Sequence, residues 1–229
     1  MKTKLNYLLL LDLLVISCSP NVEMTDMKDV IPLPADSLQT FLGISRKDGL
    51  NKILSYGAYI TENSKTTYDF DIYGNRSFEH YLQDCIILSG GKKDITTSVD
   101  YEISFGGYVE DWDDYIAAQQ EAQKTGKTII PYDDVIKYVT SLGTNYQFKS
   151  GKEVRFINGV IKNDKREELF NTENFDDFIN YVNESRPARF ECSWESDDVN
   201  SDGNIGCYMS VFWTKDFLGP LKISMSEYK

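Results

Sequence analysis

The sequence predicts an α+β fold, an N-terminal helix on an antiparallel meander followed by a second, β-rich half, and three observations carry that reading. Tyr68, Phe70 and Ile72 alternate with Asp69, Asp71 and Tyr73, and Val99, Tyr101, Ile103 and Phe105 alternate with Asp100, Glu102 and Ser104, the period-two pattern of half-buried strands. Ser45-Arg46-Lys47-Asp48 is a capping box, with Leu50, Ile53 and Leu54 at helical spacing behind it and Gly57 placed to end the helix. Farther on, Phe175, Phe178, Ile179 and Val182 share one helical face, Pro187 stops that helix, and two strand-like runs follow at 188–195 and 205–213.

The chain opens on MKTKLNYLLLLDLLVISCSP. Lys2 and Lys4 form a positive start, Leu5 to Ile16 a short apolar run, and small and aliphatic residues precede Cys18, the layout of a cleaved secretory leader too short to span a bilayer as a stable helix. These residues resemble the bacterial lipoprotein signal. The resemblance implies cleavage after residue 17 and a lipid on Cys18, and Ser19 in place of aspartate implies the outer membrane. Asp12 departs from the pattern by setting a carboxylate inside the apolar run. Residues 18–37, polar with three prolines between Pro20 and Ser37, read as a tether.

The elements behind the tether divide into a helix-plus-sheet domain over 38–109, a connecting helix within 110–127 and an α+β domain over 128–229. In the first, the helix covers about 46–56; the run RSFEHYLQDCIILSGG fits a helix by Phe78, Leu82 and Cys85 and a strand by its final CIIL, and Gly90-Gly91 ends it either way. In the connecting helix, acids at Glu110, Asp111, Asp113 and Asp114 and Lys124 near the end complement the helix dipole.

In the third segment, Phe148-Lys-Ser-Gly-Lys-Glu-Val-Arg-Phe-Ile-Asn-Gly-Val160 has the spacing of the PDZ segment L-x-x-G-D-x-I-x-x-V-N-G, and residues 128–215 resemble a PDZ domain in element order. The resemblance implies a peptide groove beside Phe175, Phe178, Ile179 and Val182, where a partner's chain would add as a strand. Lys152 stands where that family has aspartate, and the family's carboxylate-binding loop has only a distant counterpart in Ser104 to Tyr108. Asn158-Gly159 is also a hairpin-turn signal in its own right, and Val135 to Val139 fits either a strand or a helix running to Gly143.

A net charge of −12 and no Lys/Arg cluster exclude a nucleic-acid footprint. Beyond the leader no apolar run approaches membrane-spanning length, so the body meets the membrane through the lipid on Cys18. Cys192 and Cys207 sit on the two strands of the last hairpin, where an exported chain would bridge them, leaving Cys85 as a core thiol. Asp198, Asn200, Asp202 and Asn204, with Gly203, follow the first positions of a calcium loop; Met209 replaces its bidentate carboxylate, and Asp202-Gly203 is equally a plain turn. His80 is the one histidine, and no nucleophile, phosphate loop or dinucleotide fingerprint accompanies it. An enzyme would have to use scattered carboxylates such as Asp111, Asp113 or Glu195. The sequence therefore points to a non-enzymatic envelope lipoprotein that binds a protein or peptide as an adaptor or assembly factor. The alternatives are an immunity or inhibitor-type lipoprotein with an acidic face, and a calcium-stabilised binding module.

Overall fold

The computed structural model describes residues 32–67, 69–77, 82–91, 93–105, 116, 120, 130–198, 206–215 and 221–227. The chain enters through a helical turn, α1 (Ala35–Leu38), that continues as a 3-10 turn over Gln39–Phe41. Helix α2 (Arg46–Ser55) follows, capped as its sequence requires: the Ser45 hydroxyl accepts the backbone N–H of Asp48. Four strands then run antiparallel to one another, β1 (Tyr59–Lys65), β2 (Phe70–Ser77), β3 (Leu82–Gly90) and β4 (Thr96–Phe105). Helix α3 (Tyr132–Leu142) leads to β5 (Asn145–Gln147), β6 (Glu153–Lys162) and β7 (Glu168–Thr172). Helix α4 (Phe175–Ser185), capped by the Asn174 side chain on the N–H groups of Asp176 and Asp177, precedes β8 (Arg189–Glu195), β9 (Cys207–Thr214) and β10 (Leu221–Glu227).

These strands make one ten-stranded sheet in the order β1-β2-β3-β4-β10-β9-β8-β6-β5, with β7 also on β6. The joint is β10, which pairs antiparallel with β4 on one side and β9 on the other. This overturns the expected fold, an N-terminal helix and meander followed by a separate PDZ-like α+β half. The structure is a large, mainly antiparallel open sheet with short helices laid on it. The residues that form β10 alternate Leu221, Ile223 and Met225 inward with Lys222 and Ser224 outward, so they qualify as a strand; what local pattern does not reveal is that both their edges are taken.

The PDZ reading fails at named residues. Asn158 and Gly159 lie inside β6, not in a turn, opposite Ser193 and Cys192 of β8, just past a bulge that shifts the register between Phe156 and Asn158. Gly159 is required there for closeness: a Cβ on it would stand 2.3 Å from Cδ2 of Phe178, so the α4 ring rests directly on the β6 backbone. Val135 to Val139 belongs to α3, which ends at Gly143 with φ of 68°.

All four helices pack on one face. Ile53 of α2 sits over Gly74 of β2, Tyr132 of α3 stacks edge-on to Trp213 of β9 at 5.1 Å, and Phe175 and Phe178 of α4 meet Phe156 of β6. The core between the layers holds Trp194, Trp213, Phe190, Tyr101, Phe41 and Leu38, all essentially without solvent contact. Each such aliphatic or aromatic side chain is worth about 1.5–3 kcal/mol on burial. The α1 turn belongs to this core, with Ala35, Leu38 and Phe41 buried, and its polar side is fastened to the sheet's far end: Tyr146 donates to Asp36 at 2.9 Å, and Gln39 accepts the N–H of Lys149 at 2.7 Å.

Candidate functional site

With the helices on one face, the strand period sends every other residue to the opposite face. The register aligns these residues into rows. One row runs Ser193, Ser210, Ser224, Asp100, Ile87, Tyr73, Glu62 across β8, β9, β10, β4, β3, β2 and β1. A second runs Glu195, Tyr208, Ser226, Ser98, Ser89, Asp71, Ser64, and a third Glu191, Phe212, Lys222, Glu102, Cys85, Asn75. The face is thus built of short hydroxyls and carboxylates with a few large rings. Most of these side chains are half-buried, and helices α1 to α4 pack on the other side of the sheet.

Local bonds hold the polar groups in place. Ser224 donates to Asp100, Ser89 donates to Asp71, and the ammonium of Lys222 lies 3.7 Å from Asp100. Glu102 carries none of these contacts and stands between Lys222 and Cys85 in register. The electrostatics follow. Burial first, and then Glu102, Asp84 and Asp100, push the Cys85 thiol up to about 12. Burial raises Tyr73 as well, followed by Asp71, Glu62, Cys85 and Asp100.

On the helix side, one charged cluster is buried. Asp84, 2% exposed, receives Nε of Arg76 at 2.9 and 3.1 Å, a further bond from the same guanidinium, and the Tyr101 hydroxyl at 3.0 Å. The bidentate fork and the phenol occupy the carboxylate, whose bond in turn raises Arg76 above its ordinary value. This cluster ties β2, β3 and β4 together at one end of the sheet, and its groups are engaged with one another.

The residues singled out in the sequence fare differently. Phe175, Phe178 and Val182 are buried and Ile179 is half-buried, so the groove expected beside them is filled by their own sheet. The edge of β6 is taken by β5 at one end and β7 at the other, which removes the place for an added strand. Cys192 and Cys207 are free thiols: the register sets Cys192 opposite Val211, four residues along β9 from Cys207, and a bridge cannot span that offset. The expected disulfide is therefore corrected to two buried thiols.

Asp198 is exposed, and its carbonyl accepts the N–H of Gly206 at 2.6 Å, closing the stem of the loop that was read as a calcium site. Asn200, Asp202 and Asn204 lie outside the described residues, as do Cys18, His80, Asp111, Asp113 and most of the expected connecting helix, of which Ile116 and Gln120 are described and helical. Among the described residues no group of three or more His, Cys, Asp or Glu side chains is placed to hold a metal ion, and no helix is long and apolar enough to cross a membrane. Glu195 falls on the open face between Arg155 and Tyr208.

Neither the rows on the open face nor the Arg76–Asp84–Tyr101 cluster is among the site residues expected from the sequence. The signal for the rows was present in the alternation of Ser98, Asp100, Glu102 and of Tyr208, Ser210, Phe212. The order of strands that joins them was not. Comparison with family models, with curated proteins and with solved structures found no match to this chain.

Proposed function

We propose that this chain is a lipid-anchored cell-envelope protein, held at the outer membrane through Cys18, whose non-catalytic role is to bind another protein on the open face of its sheet. The observation that carries the reading is the one-sided layering: helices α1 to α4 lie on one face, and the other presents Tyr73, Tyr208 and Phe212 among serines. Tyrosine and serine together suit contact surfaces, because the ring supplies area at low rotamer cost and the hydroxyl adapts its bonding. The Arg76–Asp84–Tyr101 cluster supports a binding role over a catalytic one, since its groups are spent on each other.

The test uses the full-length lipidated protein in its own envelope, with a photo-crosslinking side chain at Tyr73 on the open face or at Leu54, which is 49% exposed on the helix side. A discrete protein adduct from Tyr73 and none from Leu54 is the expected result. Adducts from Leu54 alone would place the interface on the helix layer and reject the reading. The anchor is tested separately: Cys18→Ala should move the protein from the membrane to the soluble fraction.

A further inference from the structure

We infer that the partner docks a basic protein surface, rich in lysine and arginine, over the β1–β4 half of the open face; this rests on the docking reading above and specifies its chemistry. The described residues that alternate onto that half include Tyr59, Glu62, Ser64, Asp71, Tyr73, Asn75, Gln83, Cys85, Ile87, Ser89, Ser98, Asp100, Glu102 and Ser104. Four are carboxylates and none is a cation. The arginine of β2, Arg76, belongs to the other side, where Asp84 engages it. Across the rest of the sheet cations return and outnumber the acids Glu191 and Glu195 of β8, with Lys222 on β10, Arg189 on β8, and Arg155 and Lys162 on β6. The face is therefore polarised, and Lys222 at the boundary reaches just one of the four acids, Asp100.

The geometry turns those acids into a template. Glu62, Asp71, Asp100 and Glu102 are carried by β1, β2 and β4, with β3 paired between the last two, and each neighbouring pair of strands holds roughly 4.8 Å spacing. Their separation is thus fixed by the backbone and not by flexible loops. Asp71 and Asp100 are further held by serine hydroxyls, which orient them without removing their charge. Tyr73 and Ile87 between them supply the uncharged centre that an interface needs, with the acids as a rim. After burial, Glu102 is the largest cause raising the Cys85 thiol and Asp71 and Glu62 the largest raising Tyr73, in keeping with that geometry. A second copy of this chain would add a net charge of −12 to one that already carries the same, and nucleic acid and anionic lipid would be repelled, which favours a cationic protein as the occupant.

The experiment extends the Tyr73 crosslink. The adduct is digested and the crosslinked peptide sequenced, its yield is measured across a salt series, and the Asp100→Asn/Glu102→Gln variant is compared with Asp134→Asn/Glu184→Gln, which removes two exposed acids from α3 and α4 on the helix side, all checked by circular dichroism. The expected result is a Lys/Arg-rich peptide, an adduct whose yield falls severalfold as the Debye length shortens from about 10 Å to about 3 Å, and a roughly tenfold weaker adduct in the charge-neutral variant. A neutral or acidic peptide, or an adduct indifferent to salt and to the variant, would overturn the basic-partner inference while leaving the docking face standing. Adducts from Leu54 alone, or none from Tyr73, would overturn both.

Discussion

The hydroxyl of Tyr101 donates to Oδ2 of Asp84 at 3.0 Å, and the same carboxylate takes the guanidinium fork of Arg76, so three strands are pinned through one side chain 2% exposed to solvent. Asp84→Ala should destabilise the protein by about 3 kcal/mol, because it takes the carboxylate away from a largely buried guanidinium and a buried phenol. Tyr101→Phe removes one bond to a charged group and should cost about 1.5 kcal/mol. Urea denaturation of both variants checks the ordering; equal losses would mean that Arg76 finds a new partner.

Gly159 carries the ring of Phe178 on its backbone. Gly159→Ala should therefore lower stability by about 1–3 kcal/mol through overpacking. Pairing it with Phe178→Leu should recover part of that loss, because the two changes act on one contact. Thermal unfolding of the single and double variants gives the coupling; strict additivity would show that the strand, and not the ring, absorbs the added methyl.

Cys192 is fully enclosed and pushed up by burial, and burial likewise raises Cys207, to about 11, with Cys85 at about 12. Alkylation of the native body near pH 8 should leave Cys192 and Cys207 unmodified, and denaturant should release both to full labelling. Mass spectrometry without reductant should show no loss of two hydrogens between them, whereas a Cys192–Cys207 crosslinked peptide would contradict the register of β8 and β9.

The same thiols set an alkaline limit. Their native values lie above the ordinary 9.0, so the folded state holds these protons more tightly than the unfolded chain does. Tyr101, Tyr132, Tyr138 and Tyr146 are displaced in the same direction by burial. The stability they contribute is complete below about pH 9 and is lost progressively toward pH 12 as the unfolded chain ionises first. The urea midpoint should fall across that window, and Cys85→Ser should make the fall shallower.

The entering turn yields a fourth kind of test. Leu38 is wholly buried, and Leu38→Ala should cost about 2–5 kcal/mol. Tyr146→Phe, which removes the donor to Asp36 and the acceptor of the Gln39 amide, should cost about 1–2 kcal/mol. Hydrogen exchange should then show protection lost first around α1 and β5 in both variants.

Local chemistry was readable wherever its cause is local. The Ser45–Asp48 box produced α2, Phe175 to Val182 produced α4 with its stop before Pro187, and the paired runs near residues 190 and 210 produced the β8–β9 hairpin. The errors share one origin, the pairing of distant strands. Asn158-Gly159 signals a turn by composition, yet β8 and Phe178 impose an extended path on it. Cys192 and Cys207 flank the hairpin turn in sequence, yet the register offsets them. Arg76 and Asp84 face each other because β2 and β3 pair in one register out of several that their alternation would allow.

The insertion of β10 between β4 and β9 bears on how the molecule is made. Strand β4 has its hydrogen-bonding groups on one side bare until a segment more than a hundred positions downstream arrives, and β9 waits beside it. Closure over such a separation is slow compared with hairpin formation. During synthesis the two half-assembled sheets would therefore coexist as sticky intermediates, and whatever keeps them apart from other chains governs the yield of this protein as much as its final stability does.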